Sequence, residues 1–228
     1  MIEYEIFEAK IEYYFKKYDI CHSEAMTKNF YVLADHLLLE NEKYNLTSIT
    51  DIDEIIVKHY IDSIMPLKYF EIPKNAKMID IGTGAGFPAL PLHIMRGDLQ
   101  ITFLDSKNKK INFVKNAAEK MNGDPKKLTY HLGRAEQYAK TPGIKETYEI
   151  AVFRAVAKLP ALCELAAPFL GAEGFFVAYK GKNAETEMAE AQNTLKNLNL
   201  KITETAKFDL ENEKRTLIKI EKTKKSFT

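Results

Sequence analysis

The stretch Met78-Ile79-Asp80-Ile81-Gly82-Thr83-Gly84-Ala85-Gly86-Phe87-Pro88 decides how the rest of this 228-residue chain reads. A short strand runs into three glycines at alternate positions, and a helix follows over about 88–96. Glycine tolerates a sharp turn and lets a ligand come close to the backbone. The first turn of the helix offers N–H groups without intrahelical partners, and Pro88 suits that turn. Strand, glycine turn and helix in succession form the opening unit of a parallel α/β sheet.

Working outward, short apolar runs and helical stretches alternate. Strands are expected at Lys77–Ile81, Gln100–Leu104, Leu128–Leu132, Glu149–Phe153, Gly174–Lys180, Lys201–Phe208 and Thr216–Glu221. Helices are expected near 107–121, 135–140, 158–169 and 183–198. This alternation implies βαβ units with helices on both faces. The last two strands are joined by only a few residues around Glu211-Asn212, too short for a parallel crossover, so they form a hairpin. Before Pro73 the pattern is helical. Ile2, Ile6, Phe7, Ile11, Tyr14, Phe15 and Tyr18 recur at three-to-four spacing. A second helix runs from an N-cap at Ser23 to about Lys43, with Met26, Phe30, Leu33 and Leu37 on one face. Tyr44-Asn45-Leu46-Thr47 breaks the pattern, and a shorter helix from near Thr50 carries Lys58-His59 and Asp62-Ser63. The division expected is a helical extension over 1–70, an α/β domain over 71–221 and a basic tail over 222–228.

Composition narrows the function. With 33 basic and 32 acidic residues the net charge is +1, which excludes a tail-driven nucleic-acid binder but not a local basic face. At 46% hydrophobic residues the chain is not disordered. The two cysteines, Cys21 and Cys163, have no ligand spacing, so no disulfide framework and no metal site are expected. The acidic N-terminus lacks the pattern of a signal peptide. The most apolar window, 159–179, carries Glu164 and Glu173, which makes a poor membrane helix. A cytoplasmic protein is expected.

The glycine spacing selects among cofactors. A dinucleotide loop wants G-x-G-x-x-G, and its third glycine would fall on Phe87, which disfavours a nicotinamide oxidoreductase. G-x-G-x-G suits S-adenosylmethionine, which brings no pyrophosphate. About twenty residues on, Asp105 ends the second strand, where a carboxylate can accept both ribose hydroxyls. After the third strand, the Ala135 N–H and the Glu136 carboxylate are placed to read an adenine edge; the alternative for Glu136 is a first-turn acid facing the helix dipole.

Asn45-Leu46-Thr47, Lys58–Ser63, Asp80–Pro91, Leu104-Asp105-Ser106 with Lys109-Lys110, Gly133–Glu136, Arg154-Ala155-Val156-Ala157 and Lys180-Gly181 together resemble one family. It is that of the bacterial 16S ribosomal RNA guanine-N7 methyltransferases, the glucose-inhibited division protein B family. Ala89 and Phe153 depart from its usual Gly and Ser. The resemblance implies the class I methyltransferase fold, a seven-stranded, mostly parallel Rossmann-like sheet. It further implies S-adenosylmethionine as cofactor and 16S RNA or the small ribosomal subunit as partner. Asp80, Gly82, Gly84, Gly86, Phe87, Asp105, Ala135, Glu136 and Arg154 would then line the cofactor site. Asn45, Lys58, His59, Lys109, Lys110, Lys180 and Arg215 would meet RNA. A monomer without metal is expected.

The residues agree with that chemistry. After the fourth strand there is no Asn/Asp-Pro-Pro-aromatic to hold an exocyclic amine, and no cysteine is placed as a pyrimidine nucleophile. Guanine N7 needs neither, because its lone pair is already nucleophilic and no proton leaves. Catalysis then reduces to alignment, and no general base is expected. Arg154 set against the cationic product ring would oppose the reaction. Its alternatives are the cofactor's carboxylate, a substrate phosphate, or anchoring of its own loop. Lys107, Lys109, Lys110, Lys115, Lys120, Lys126, Lys127 and Arg134 outnumber the acids between Asp105 and Arg134, and Arg215 with the tail adds a second basic cluster. A small-molecule or protein methyltransferase and a non-enzymatic RNA-binding module remain as alternatives, since fold does not give substrate.

Overall fold

A computed structural model describes residues 2–154 and 157–223. Seven strands form one sheet in the order β3-β2-β1-β4-β5-β7-β6. They are β1 (Lys77–Ile81), β2 (Gln100–Asp105), β3 (Leu128–Leu132), β4 (Tyr148–Arg154), β5 (Leu170–Lys180), β6 (Leu200–Leu210) and β7 (Glu213–Lys222). The first five are parallel, and β7 pairs antiparallel with both β5 and β6. The expected terminal hairpin is present, turned by Glu211 in the left-handed region at φ 52°. The last strands run longer than expected. Their solvent-side polar residues hide them from an alternation count, while a long hairpin satisfies both backbones at once. β7 reaches Lys222, inside the expected tail, and residues 224–228 lie outside the described residues.

The sequence order reverses between β1 and β4, so the carboxyl ends of these two strands open the crevice where ligands bind in such sheets. Period-two alternation sends side chains to two separate cores. Met78, Ile150, Val152, Val177 and Leu217 join one face; Ile79, Ile81, Ala151, Phe153 and Ile218 join the other. The second face is covered by α8 (Ala135–Tyr138), α9 (Leu159–Ala166), α10 (Ala184–Glu190) and α11 (Gln192–Asn197). The first face is covered by α6 (Ala89–Met95), α7 (Asn108–Lys120) and the N-terminal helices.

Those helices are α1 (Tyr4–Lys17), α2 (Glu24–Tyr44) and a composite run over 52–69. Ser23 caps α2 by accepting from the Met26 N–H, and Phe30, Leu33 and Leu37 are fully buried. Asp51 caps the composite run through the Glu54 N–H. The run holds α3 (Ile52–Glu54), a seven-residue π-helical segment (Ile55–Ile61), α4 (Asp62–Ile64) and α5 (Pro66–Tyr69). The expected plain helix is thus wound wider at Lys58-His59. Such segments are rare and concentrate at functional sites. Among the described residues, no helix is long and apolar enough to cross a membrane.

Candidate active site

At the end of β1 the glycine loop takes the shape its sequence asks for. Gly82, Gly84 and Gly86 have φ of 76°, 61° and 82°. At Gly86 a Cβ would also lie 2.3 Å from Leu90 Cδ1. The loop is fastened to the neighbouring strand, since the Gly82 and Thr83 N–H groups donate to the Leu104 carbonyl. Asp105, which follows Leu104 at the end of β2, accepts from the Gly84 N–H at 3.0 Å and from the Lys107 N–H at 2.9 Å. Each of its oxygens keeps a second lone pair for a further donor. Asp80 is fully buried beneath the loop and accepts from the Thr83 hydroxyl at 2.6 Å. Burial pushes its carboxyl up to about 7, against that hydrogen bond.

Alternation places Asp80, Asp105, Arg154, Tyr179 and Arg215 on the face covered by the N-terminal helices. The consequence is largest for Arg154. Its guanidinium is turned into the π segment, donating to the Lys58 carbonyl at 2.6 Å and to His59 Nδ1 at 2.7 Å. It lies 3.4 Å from Asp62, which a second arginine, Arg215, approaches at 3.4 Å from β7. Tyr179 donates to the Ser63 carbonyl at 2.7 Å, and Ser63 to that of His59. These contacts tie Arg154, at the end of β4, to the π segment. Ala155 and Val156, which follow it, lie outside the described residues.

His59 stacks on Phe87, with ring centroids 4.4 Å apart, and the Arg154 guanidinium lies 5.1 Å from the same ring. Burial, reinforced by the Arg154 charge, pushes the imidazole down to about 3. The second nitrogen, Nε2, is 3.0 Å from Thr47 Oγ1. The π segment therefore joins the glycine loop to the Asn45-Leu46-Thr47 break through one buried, neutral ring.

The sequence signature described as rRNA small subunit methyltransferase G matches residues 26–218. The chain belongs to this family. Relatives bearing the name ribosomal RNA small subunit methyltransferase G include one from Clostridium beijerinckii, 44% identical over 75% of this chain and 71% of its own length. One from Desulfitobacterium hafniense is 39% identical over 86% of this chain and 81% of its own length. Among solved structures, M. jannaschii TYW2 in complex with AdoMet superposes with a TM-score of 0.58 at 10% identity. That match covers 72% of this chain and 76% of TYW2. Geranyl diphosphate C-methyltransferase from Streptomyces coelicolor superposes at 0.57 and 12%, covering 72% and 79%. The fold is that of the class I S-adenosylmethionine-dependent methyltransferases.

Within the family's frame, the expected cofactor residues of the glycine loop and Asp105 come together. Ala135 is half-buried and Glu136 exposed at the start of α8, beside a cavity of about 670 Å³. The expected RNA residues divide. Asn45 and Lys109 are exposed, and Lys109 donates to the Tyr44 carbonyl at 2.9 Å. Lys110 is half-buried near Gly84. Lys58 pairs with Glu54 at 2.6 Å and Glu213 at 3.6 Å, and Arg215 with Glu213 at 2.8 Å as well as Asp62. Two expectations need correction. Lys180 has the opposite parity to Tyr179 and points into the second core, paired with Glu187 at 2.8 Å and donating to the Ala157 carbonyl at 2.7 Å. It holds the loop after β4 rather than facing RNA. His59 is buried and neutral, with no charge to offer a phosphate. Sequence reasoning alone gives no site role to Asp62, Tyr179 or Thr47. Asp62 offered one signal, an acid four residues after Lys58 in a segment rich in Ile and Val.

Proposed function

We propose that this small-subunit ribosomal RNA methyltransferase transfers the methyl group of S-adenosylmethionine directly to N7 of a guanine in 16S RNA, without a general base. The observation that carries this reading is the state of His59, the imidazole nearest the glycine loop. Its Nδ1 lone pair is taken by Arg154, and its burial keeps it from holding a proton near neutral pH. A nucleophile that must lose a proton would find no free imidazole here. Guanine N7 has none to lose.

S-adenosylmethionine supplies, when bound, a methyl group on a positively charged sulfur. The chain's own residues bind and align. The loop Gly82–Gly86 gives close backbone approach, Asp105 offers its remaining lone pairs to the ribose, and Ala135 with Glu136 stand where an adenine edge is read. Phe87 and His59 form an apolar wall that keeps water out and so favours alignment. The Arg154 charge is drawn toward Asp62, which lessens its repulsion of a cationic product ring. The same proposal takes the enzyme as a cytoplasmic monomer that uses no metal.

Alkylation at N7 weakens the glycosidic bond. RNA methylated by this protein with labelled S-adenosylmethionine, then reduced and treated with aniline, is expected to break at a single guanine. Labelled RNA that stays intact would disprove the N7 assignment.

A further inference from the structure

Thr47 lies in the segment that follows α2. Asn45 reverses the chain in the left-handed region at φ 49°. The Tyr44 carbonyl accepts from Lys109, four residues beyond Asp105, and the Thr47 N–H donates to Asn41 Oδ1 at 2.9 Å. The segment is thus tied on one side to the helix that follows Asp105. On the other it is tied to His59, the ring stacked on Phe87. These ties place a hydroxyl beside the site.

The protons on this network can be assigned. Arginine only donates, so His59 Nδ1 is an acceptor and the neutral ring carries its proton on Nε2. Nε2–H therefore donates to Thr47 Oγ1 at 3.0 Å, and the Ile49 N–H donates to the same oxygen at 3.1 Å. A hydroxyl oxygen has two lone pairs, and both are now filled. The hydroxyl proton has no acceptor among the described residues, and Thr47 is half-exposed. Arg154 and His59 have turned a group that ordinarily donates and accepts into one that can only donate.

We propose that Thr47 determines base specificity by donating its hydroxyl hydrogen bond to O6 of the target guanine. This rests on the guanine-N7 reading above. In the major-groove edge, guanine presents acceptors at both N7 and O6, whereas adenine presents N7 beside an amino donor. N7 must stay uncommitted to take the methyl group, so the purine is distinguished at position 6. A donor-only hydroxyl accepts guanine there and sets donor against donor with adenine. Asn41, Lys109, Arg154 and His59 are positioning residues for this contact.

A phosphate oxygen is also an acceptor, and the test separates the two. The methylated position is first mapped by aniline cleavage with the unaltered protein. Reconstituted small subunits are then prepared with guanine or with 2-aminopurine, which keeps N7 but lacks O6, at that position. For Thr47→Val and Thr47→Ala, kcat/KM on guanine should fall about fivefold to tenfold, the loss of one hydrogen bond. On 2-aminopurine it should stay within about twofold, and Thr47→Ser should restore the preference for guanine. Comparing two substrates within each variant cancels any partial loss of folded protein. An equal fall on both substrates, as a phosphate contact or support of His59 alone would give, overturns the proposal. So does an unchanged rate on guanine. If the unaltered protein gives no aniline-labile site, the N7 reading fails and this inference with it.

Discussion

Asp105 serves two structures with one carboxylate: it fastens the Gly84 amide and caps the turn at Lys107. Its remaining lone pairs are the ones proposed for the ribose. Asp105→Ala should weaken S-adenosylmethionine binding by about 1.5–3 kcal/mol, the range for hydrogen bonds to a charged group, as read by calorimetric titration. Asp105→Asn should weaken binding too, since it loses the charge and keeps a single acceptor, setting its NH2 against one of the two backbone donors. Unchanged affinity in folded Asp105→Ala would remove the ribose assignment. Asp105 and the glycines were legible because their signals are local: a positive φ, and an acid at a strand end. Arg154 was legible only as a residue that matters, because its partners come from a segment 95 residues away.

At the scale of elements, α2 and α7 meet through His36, whose ring stacks on Phe113 at 4.9 Å. Among the described residues neither ring nitrogen makes a hydrogen bond of ordinary geometry. Burial, with Lys120 nearby, holds its pKa below that of a free imidazole. The unfolded chain therefore takes up this proton first. The stability His36 contributes is complete above about pH 6.5 and declines as pH falls below it. His93, also held low by burial, and His59 act in the same direction. Asp80 opposes them: raised to about 7, it favours the folded state as pH falls from about 7 towards 4. Comparison with a variant isolates one term. His36→Leu should raise stability at pH 7 by about 1 kcal/mol, by removing a buried polar ring that lacks an ordinary hydrogen bond. It should also flatten the decline between pH 7 and 5 in urea-unfolding midpoints. An unaltered pH slope would show that His36 carries none of the acid sensitivity. The widened turn at Lys58-His59 was not legible, because seven residues buried nearly all round give no periodicity from which to read one extra residue per turn.

For the whole molecule, the N-terminal helices and one face of the sheet share a single continuous core. Phe7, Ile11, Phe15, Phe30, Leu33 and Leu37 are fully buried in it, together with Ile56, Tyr60, Met78 and Phe103. A chain beginning at Asp51 should therefore lose cooperative unfolding. Near-UV circular dichroism should collapse while far-UV signal persists, with strong binding of an apolar dye. A single sharp transition in that truncated chain would make the helices an independent addition. The sequence by itself determined the parallel sheet with its closing hairpin, the glycine loop, the acid that follows it and the helical character of the first 70 residues. These rest on φ preferences, on short connections and on periods of two and 3.6, all properties of neighbouring residues. Tertiary structure alone decided what the charged groups do. Strand parity turned Arg154 towards Asp62 and Lys180 towards Glu187, and burial between two layers left His59 neutral. The reason is physical. A side chain's charge state and hydrogen-bond role depend on the partners and the water around it, and in this fold those are set by segments far apart in the chain.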